Sequence, residues 1–388
     1  MQEKQARLRL KPGKERPLRQ HHHWIYSGAV AECTKAASLA EVFSHSGERL
    51  GLAMLNPGRS ILGHMLAFGE ESAETALTNR LEKALALRQR LFDPNVTNAI
   101  RLINAEGDGI PGLIIDSYNG VLVLQLSHPG LEPFKPFLVD WLIANTAPKA
   151  IYEKSTSFLR KKEGLEEVRG ALYGEPTEEI EVLENGLRFA VDVVHGQKTG
   201  LFLDQRDNRA LVRQLSSGRR VLNCFAYTGG FSIAAIQGGA TSVDSVEISK
   251  KCEPWVEKNL ALNGLSNHRF LAEDAIDFIA KKELPYDLLI LDPPAFVKKR
   301  EDIDNAFRAY KDLNRMAIEK MPPNSLLLTC SCSYHVSEEL FQNILFRASL
   351  EAKRTVRILG RHRQAHDHPI SIFHPESSYL KSFLLAVE

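Results

Sequence analysis

Short apolar runs alternate with helical segments from about residue 197 to the end of the chain. This alternation predicts an α/β sheet with helices on both faces, because elements that alternate in this way pack around a largely parallel sheet. Ligands of such sheets bind at the carboxyl ends of the strands. The predicted strands are VLNCF, SVDSVEI, RFLAED, YDLLILD, SLLLTCS and SFLLAV.

The first of these strands leads into a loop with two glycines. The segment from Val221 to Ala235 reads VLNCFAYTGGFSIAA. Gly229 and Gly230 allow the backbone to approach a ligand closely at the start of a helix, where N–H groups are unpaired. Glu247 ends the next predicted strand, where an acidic side chain suits the two hydroxyls of a ribose. The pattern predicts a ligand that carries an adenosine.

The first half of the chain has a different pattern. Residues 1–75 contain short apolar runs separated by turn signals such as KPGKE and NPGR, which predict a small all-β domain. Residues 76–192 combine the helical periodicity of TALTNRLEKALALRQRL with a hairpin signal at Tyr118-Asn119-Gly120 and a second hairpin in ENGLRFAVDVV. This combination predicts a middle α+β domain. With 388 residues, the chain is long enough for both and for an α/β domain at 193–388.

Charge and cysteine content narrow the classes of function. The net charge is only +1, although residues 1–23 hold seven Lys or Arg against Glu3 and Glu15. A solvated surface and a nucleic-acid contact both stay open for this basic segment. The five cysteines are too scattered for a disulfide framework, and no apolar run has the length of a membrane span or a signal peptide. These features predict a cytoplasmic protein.

Chemically distinctive residues follow the later strands. Asp274 lies in AEDA, Asp292 in LLILDPPAF, and Cys330 and Cys332 in LLLTCSCS. A phosphate-binding GxxxxGK[ST] loop is absent, which disfavours nucleotide hydrolysis, and the loop after VLNCF has two adjacent glycines where a nicotinamide dehydrogenase would have GxGxxG, which disfavours that class. The ordered set of glycine loop, two acids, Asp-Pro-Pro and cysteine is more specific than any of its parts.

This ordered set resembles the Rossmann-like S-adenosylmethionine-dependent methyltransferases. More closely, nearly the whole chain is similar to the bacterial RlmI-type family of large-subunit ribosomal RNA (cytosine-C5) methyltransferases. LKPGKERPLRQHHHWIYSGAV is similar to the opening of that family's PUA domain, HGQKTGLFLDQRDNR to its cofactor-lid motif, and LDPPAFVKK and TCSCS to its catalytic motifs. The resemblance implies a PUA-like RNA-binding domain (1–75), a middle α+β domain (76–192), a Rossmann-like methyltransferase domain (193–388) and S-adenosyl-L-methionine as cofactor.

The resemblance also implies which residues bind the cofactor. Glu247 would bind the ribose hydroxyls and Asp274 the adenine amino group, although capping of the following helix is a competing role for Asp274. An Arg or Lys of the lid motif would pair with the methionine carboxylate. The predicted cofactor-binding set is Lys198, Phe202, Gln205, Arg206, Asn223, Phe225, Tyr227, Thr228, Gly229, Gly230, Glu247, Ile248, Asp274, Ala275 and Asp292.

Cys332 is the predicted nucleophile. Carbon 5 of cytosine is a poor nucleophile, but a thiolate that adds to carbon 6 turns the ring into an enamine, which attacks a methyl group on sulfonium. Asp292 would supply a proton or hydrogen bond at the ring nitrogen, and two prolines stiffen the turn after it. Phe296 would stack on the extruded base. Packing is the alternative for Cys332 and the preferred role for Cys330.

Other interpretations stay open at this point. Ala295 stands where some RNA cytosine methyltransferases have a second cysteine, so the base that removes the carbon-5 hydrogen is unassigned. Asp-Pro-Pro followed by an aromatic residue also suits methylation of a base nitrogen, and a non-catalytic RNA-binding assembly factor is a further alternative. We predict ribosomal RNA as partner and no metal, with a homodimer left open. The predicted phosphate contacts are Lys11, Lys14, Arg16 and Arg19, with Arg361 and Arg363 as additional candidates.

Overall fold

The computed structural model describes residues 6–34, 37–297 and 300–388, which form two units. The first unit contains the chain up to Leu183 together with Val191–Leu203 and His366–Ser377. The second contains Glu184–Ala190, Asp204–Ala365 and Ser378–Glu388. The three-domain division drawn from the sequence stays a prediction.

The N-terminal part of the first unit is a six-stranded sheet, as the turn signals predict. Every second residue of its first strand is buried, which places Leu8 and Leu10 in an apolar core with Val42. The elements are β1 (Ala6–Leu10), α1 (Arg16–Arg19), β2 (Trp24–Tyr26), β3 (Val30–Cys33), β4 (Leu39–Phe43), β5 (Arg49–Leu55) and β6 (Ile61–Phe68). The strand order is β2-β6-β5-β4-β1-β3.

A helix and a second sheet complete most of the first unit. The predicted helix is α2 (Ala73–Leu91), which begins after Ser72, whose side chain accepts a hydrogen bond from the Thr75 N–H. Its buried Leu77 and Leu81 share one core with residues of both sheets. The remaining elements are β7 (Ala99–Asn104), β8 (Leu113–Tyr118), β9 (Val121–Leu126), α3 (Lys135–Thr146), β10 (Ala150–Ser155), α4 (Phe158–Lys162), β11 (Val168–Tyr173) and β12 (Ile180–Glu184).

The second sheet has the order β11-β10-β9-β8-β7. β8 and β9 form the predicted hairpin, in which Asn119 and Gly120 adopt φ angles of 51° and 86°. The sequence analysis missed β11, because its residues alternate between half-buried and exposed and leave no apolar pattern to detect.

The second unit contains the alternating strands and helices that the sequence predicts. Its elements are β13 (Leu187–Val191), α5 (Arg206–Leu215), β14 (Arg220–Cys224), α6 (Gly230–Gln237), β15 (Ser242–Val246), α7 (Glu253–Leu262), β16 (His268–Leu271), α8 (Ala275–Lys281), β17 (Leu288–Leu291), α9 (Ile303–Lys320), β18 (Ser325–Ser331), α10 (Glu338–Ala352), β19 (Val356–His362) and β20 (Lys381–Val387).

Seven of these strands form one sheet with the order β16-β15-β14-β17-β18-β20-β19. The first five are parallel, and β20 is antiparallel to β18. Neighbouring residues of β17 enter different cores, since Leu289 packs with α8, α9 and α10 whereas Leu288 packs with α5 and α6. This confirms the prediction of helices on both faces. β14 lies between β15 and β17, so its carboxyl end is where ligands of such sheets bind.

Every helix among the described residues is too short or too polar to cross a membrane.

Candidate active site

The loop after β14 has an unusual backbone. Phe225 and Tyr227 adopt positive φ angles of 62° and 48°, and Gly229 adopts 81°. A side chain at Gly229 would also meet Val256 at 3.2 Å, so the position requires glycine for both conformation and space. Strained backbone of this kind concentrates at functional sites. The loop delivers the chain into α6, which begins at Gly230.

Glu247 is fixed by the same loop. Its two carboxylate oxygens accept hydrogen bonds from the Tyr227 and Ser249 N–H groups, both at 3.0 Å. Each oxygen keeps a second lone pair, with which it can accept from a ribose hydroxyl. The next side chain, Ile248, is 70% exposed, which leaves an apolar surface beside the acid for a flat adenine ring. These residues therefore fit an adenosine group.

Asp274 caps α8, which was the competing interpretation. Its Oδ1 atom accepts from the Ile276 and Asp277 N–H groups at 2.9 and 3.0 Å. Both bonds use one oxygen, so capping and a contact to adenine through Oδ2 are compatible. Ala275 is buried, whereas Ile276 is 38% exposed and adds a second apolar surface at this strand end.

Asn223 near the end of β14 and Thr228 within the glycine loop are both buried. The Asn223 amide donates to the Ser232 hydroxyl at 2.9 Å, which in turn lies 2.6 Å from the Ser245 hydroxyl. The Thr228 carbonyl accepts from the Asn259 amide at 2.9 Å. These bonds connect β14, α6, β15 and α7, so both residues support the shape of the glycine loop.

Asp292 and Cys332 follow neighbouring parallel strands. Asp292 is half-buried directly after β17, and Cys332 is half-buried directly after β18. The Cys332 sulfur lies 3.9 Å from the Pro293 carbonyl oxygen, which brings the thiol to the Asp-Pro-Pro turn. Cys330, by contrast, is fully buried, and burial raises the pKa of its thiol well above the ordinary value. The two cysteines therefore have different environments.

Phe296 packs against an aromatic residue that the sequence analysis missed. Its ring lies 4.6 Å from that of Tyr310 on α9, at an angle of 51°. The Tyr310 hydroxyl is 3.0 Å from the Ser333 hydroxyl, and burial raises the pKa of Tyr310 to about 12. Tyr310 therefore stays protonated at neutral pH and connects Phe296 to the cysteine loop.

Lys381 is a second residue that the sequence analysis missed. It begins β20 and is only 5% exposed. Its Nζ atom donates to the carbonyl oxygens of Ser333 and Tyr379, both at 2.7 Å. Burial lowers the pKa of Lys381 to about 8, against the opposite effect of Cys332 and Glu338. Topology was the available signal, because an antiparallel strand begins at the edge where its parallel neighbours end.

The predicted cofactor lid is divided between the two units. In the second unit, Gln205 is buried and accepts from the Asn208 amide at 2.5 Å, and the Nε atom of buried Arg206 lies 3.7 Å from a Glu184 carboxylate oxygen. In the first unit, the Lys198 ammonium lies 4.3 Å from the Phe202 ring centroid. The roles of these residues in cofactor binding stay predictions.

The predicted phosphate contacts differ in their present partners. Lys14 and Arg16 are exposed. The Lys11 ammonium donates to the Gly28 carbonyl at 3.0 Å, and Arg19 forms a bidentate ion pair with Glu48. In the second unit, Arg361 and Arg363 both lie within 3.4 Å of the Glu338 carboxylate. The role of these residues in RNA binding stays a prediction.

One group of possible metal ligands occurs among the described residues: His22, His374 and Glu376. The Trp24 N–H donates to His22 Nδ1 at 3.2 Å, so His22 Nε2 carries the ring hydrogen and faces Glu376 at 3.3 Å. A metal would need the lone pair of that nitrogen. The geometry favours a hydrogen bond between His22 and Glu376.

Comparisons with known proteins identify the family of this chain. The family model described as S-adenosylmethionine-dependent methyltransferase matches residues 112–361, and a PUA-like domain model matches residues 8–68. A protein of Alteromonas mediterranea named ribosomal RNA large subunit methyltransferase I is 41% identical over 98% of this chain and 99% of its own length. An Escherichia coli protein of the same name is 38% identical over 98% of this chain and 99% of its own.

Solved structures show the same fold. A Streptococcus mutans protein assigned provisionally as a SAM-dependent methyltransferase matches with a TM-score of 0.86 at 25% identity, over 98% of this chain and all of that one. A second structure, a methyltransferase candidate bound to SAH, also has a TM-score of 0.86, at 24% identity over the same shares of the two chains. The chain therefore belongs to the S-adenosylmethionine-dependent methyltransferases, in the family of ribosomal RNA large subunit methyltransferase I, and S-adenosylmethionine is its cofactor.

Proposed function

We propose that this protein transfers a methyl group from S-adenosylmethionine to carbon 5 of a cytosine in large-subunit ribosomal RNA, through a covalent adduct with Cys332. The names of the full-length relatives support the RNA class. The position of Cys332 supports the mechanism, because its half-buried thiol reaches the Asp-Pro-Pro turn while Cys330 is sealed in the core. This contrast between the two thiols carries the proposal.

The residues at the strand ends have separate roles in this mechanism. Glu247, Ile248 and Asp274 hold the adenosine part of the cofactor, which when bound supplies an electrophilic methyl group. The Cys332 thiolate forms a bond to carbon 6, and the electron pair of the 5,6 double bond becomes available at carbon 5. Asp292 supplies a proton or hydrogen bond at the ring nitrogen that receives charge. Carbon 5 would then form a bond to the methyl group as the bond between that methyl group and the sulfonium sulfur breaks, with S-adenosylhomocysteine as the leaving group. Removal of the carbon-5 proton by a base would restore the 5,6 double bond, break the bond between Cys332 and carbon 6, and free the thiolate.

The RNA is held by the first unit in this proposal. The PUA-like domain, residues 1–75, would position the RNA through phosphate contacts of exposed Lys14 and Arg16, which carry no sequence information. Residues 76–192 form the middle domain and residues 193–388 the methyltransferase domain. Phe296, supported from one side by Tyr310, would stack on the extruded cytosine. We place this activity in the cytoplasm.

Product analysis tests the proposal. The protein is incubated with large-subunit ribosomal RNA and labelled S-adenosylmethionine, and the methylated nucleosides are separated and identified. We expect 5-methylcytidine from the unchanged protein, a loss of at least about 1,000-fold for Cys332→Ala, and most of the activity in the matched control Cys330→Ala. A nucleoside methylated on a base nitrogen, formed equally well by Cys332→Ala, would establish the alternative chemistry.

A further inference from the structure

The segment that carries Cys332 is held at both sides by one residue of another strand. On its N-terminal side, Ser331 is the register partner of Lys381 in the antiparallel pair of β18 and β20. On its C-terminal side, the Ser333 carbonyl accepts a hydrogen bond from the Lys381 ammonium at 2.7 Å. The backbone on either side of the thiol is therefore fixed by Lys381.

The environment of Lys381 is unusual for a lysine. The side chain is 5% exposed and its strand enters the apolar core at Phe383. Burial of an ammonium group is unfavourable unless it is compensated by hydrogen bonds or an opposite charge. The Ser333 and Tyr379 carbonyls take two of its three N–H donors, which leaves a third donor available to an anion.

An anion can form next to this ammonium group. The Lys381 ammonium lies 2.7 Å from the carbonyl oxygen of Ser333, the residue after Cys332, and attraction to the Cys332 sulfur favours the charged form of the lysine. The same attraction must favour the thiolate over the thiol, since the coupling of two charges is mutual. A nucleophilic cysteine needs its thiolate at neutral pH, and neighbouring cations are the usual means to obtain it.

Titratable groups of the neighbouring elements have different charges. Asp292 follows β17 and Glu338 begins α10, and both are carboxyl groups. Tyr310 of α9 is held protonated by burial, which raises its pKa to about 12, and Cys330 of β18 is sealed in the core. The guanidinium groups of Arg361 and Arg363 lie within 3.4 Å of the Glu338 carboxylate, whereas the Lys381 ammonium donates to the carbonyl of Ser333, the residue after Cys332.

We propose that Lys381 is the positioning residue of the nucleophile: its ammonium group fixes the backbone around Cys332 and stabilises the Cys332 thiolate. The inference rests on the proposed role of Cys332 as the nucleophile. It gives β20, the antiparallel strand beside β18, a role in positioning the nucleophile that follows β18.

The test is the pH dependence of alkylation at Cys332, measured without RNA or cofactor. The full-length protein reacts with iodoacetamide from pH 5.5 to 10, and mass spectrometry of peptides gives the rate at each cysteine. Cys33, which is exposed on β3, serves as an internal reference. We compare the unchanged protein with Lys381→Met, which keeps an unbranched side chain one atom shorter and removes its charge, and with Lys381→Arg, which keeps the charge.

We expect Lys381→Met to raise the pKa of Cys332 by at least about one unit, so that alkylation at pH 7 slows about tenfold, while Lys381→Arg retains most of the effect. The matched control is Lys154→Met, which removes a lysine buried in a similar way in the first unit and should leave the Cys332 profile unchanged. Superimposable profiles for the unchanged protein and Lys381→Met would overturn the inference.

The measurement also decides the case in which a variant does not fold. If Lys381→Met does not fold, the unchanged protein decides alone, because a Cys332 pKa at or above the ordinary value of about 8.5 contradicts a stabilised thiolate. The inference and the proposed function also fail separately. If Cys332→Ala still methylates RNA, the proposed function is wrong. If Cys332→Ala is inactive and Lys381→Met leaves the alkylation profile of Cys332 unshifted, only the role of Lys381 is wrong.

Discussion

Lys154 and Lys381 are buried in much the same way, one in each unit. Lys154 is 2% exposed and donates to the carbonyls of Val193 and Gly196 at 2.9 and 2.6 Å. Lys381 is 5% exposed and also donates to two backbone carbonyls. Burial lowers the pKa of each to about 8. The two lysines differ in the group that raises the pKa against the effect of burial. For Lys154 this group is Asp192, and for Lys381 it is foremost Cys332.

A buried lysine can therefore stabilise the fold or act on a neighbouring thiol, depending on its partner. In the first unit, buried charges meet permanent partners: Arg88 pairs with Asp108 through two bonds of 2.7 Å, and Arg101 pairs with Asp116. Such closed networks specify a fold. In the second unit, the lysine faces a half-buried group that becomes charged only when it loses a proton. A buried cation next to such a group controls reactivity.

The largest effect that separates the two regions is expected at acid pH. Burial lowers the pKa of His23, His128 and His374 in the first unit to about 4, each from 6.5. The folded unit therefore keeps these rings neutral, while the unfolded chain binds protons below pH 6.5. Stability that is present above pH 6.5 is lost as the pH falls toward 4, by about 1.4 kcal/mol per pH unit for each such histidine.

Urea unfolding of the first unit, followed by hydrogen exchange between pH 7.5 and 4.5, measures this loss. The matched control is His45→Gln, which changes an exposed histidine after β4 and should leave the pH profile as it was. An unfolding free energy of the first unit that stays constant from pH 7 to pH 5 would contradict the burial of these rings.

The next effect concerns Lys154. Lys154→Met leaves the Val193 and Gly196 carbonyls without their donor, and we expect it to lower the free energy of unfolding by about 2–3 kcal/mol. Denaturant unfolding gives the value, and Lys149→Met, a change at an exposed lysine, is the control with an expected effect within about 0.5 kcal/mol. A Lys154→Met variant as stable as the unchanged protein would show that Lys154 does not stabilise the first unit.

A smaller effect is expected at Glu247. Glu247→Gln replaces one of the two oxygens that bind the Tyr227 and Ser249 N–H groups and removes the charge that, in the proposed site, accepts from the ribose. Calorimetry should show S-adenosylmethionine affinity reduced about tenfold to 100-fold. Glu257→Gln, an exposed acid on α7, is the control. Unchanged affinity in Glu247→Gln would place the ribose elsewhere.

The smallest effect is expected at the predicted phosphate contacts of the first unit. A double change of Lys14→Ala and Arg16→Ala should weaken RNA binding only a few-fold, similarly for different sequences, and should reduce the salt dependence of binding by about two counterions. Filter binding at several salt concentrations measures both quantities, with Lys353→Ala in the second unit as control. A loss confined to one RNA sequence would show that these residues read bases.

The fold was largely accessible from the sequence because the methyltransferase sheet is built from strongly apolar strands. Leu288 to Leu291 reads as a strand since both of its faces are buried. β19 was missed for the opposite reason, as an edge strand that exposes Ile358 and Leu359. Motif resemblance placed Cys332 and Asp292, whose neighbours in sequence are distinctive.

Residues whose importance depends on tertiary contacts were not accessible. Lys381 has no motif around it, and it reaches the Ser333 carbonyl, next to Cys332, only because β20 runs antiparallel to β18. Tyr310 lies in the middle of a helix with ordinary periodicity, and only the fold places it against Phe296. Sequence spacing describes neighbours along the chain, whereas both of these contacts are made across the sheet and its packed helices.

Trapping with modified RNA examines the sulfur–carbon bond itself. In RNA that contains 5-fluorocytosine, carbon 5 cannot release its substituent as a proton, so the bond between Cys332 and carbon 6 should persist after methyl transfer. Denaturing electrophoresis and mass spectrometry should find RNA attached to the Cys332 peptide, and the attachment should require S-adenosylmethionine. An enzyme that methylates ordinary RNA, yet forms no such complex or carries the RNA on another residue, would contradict the account.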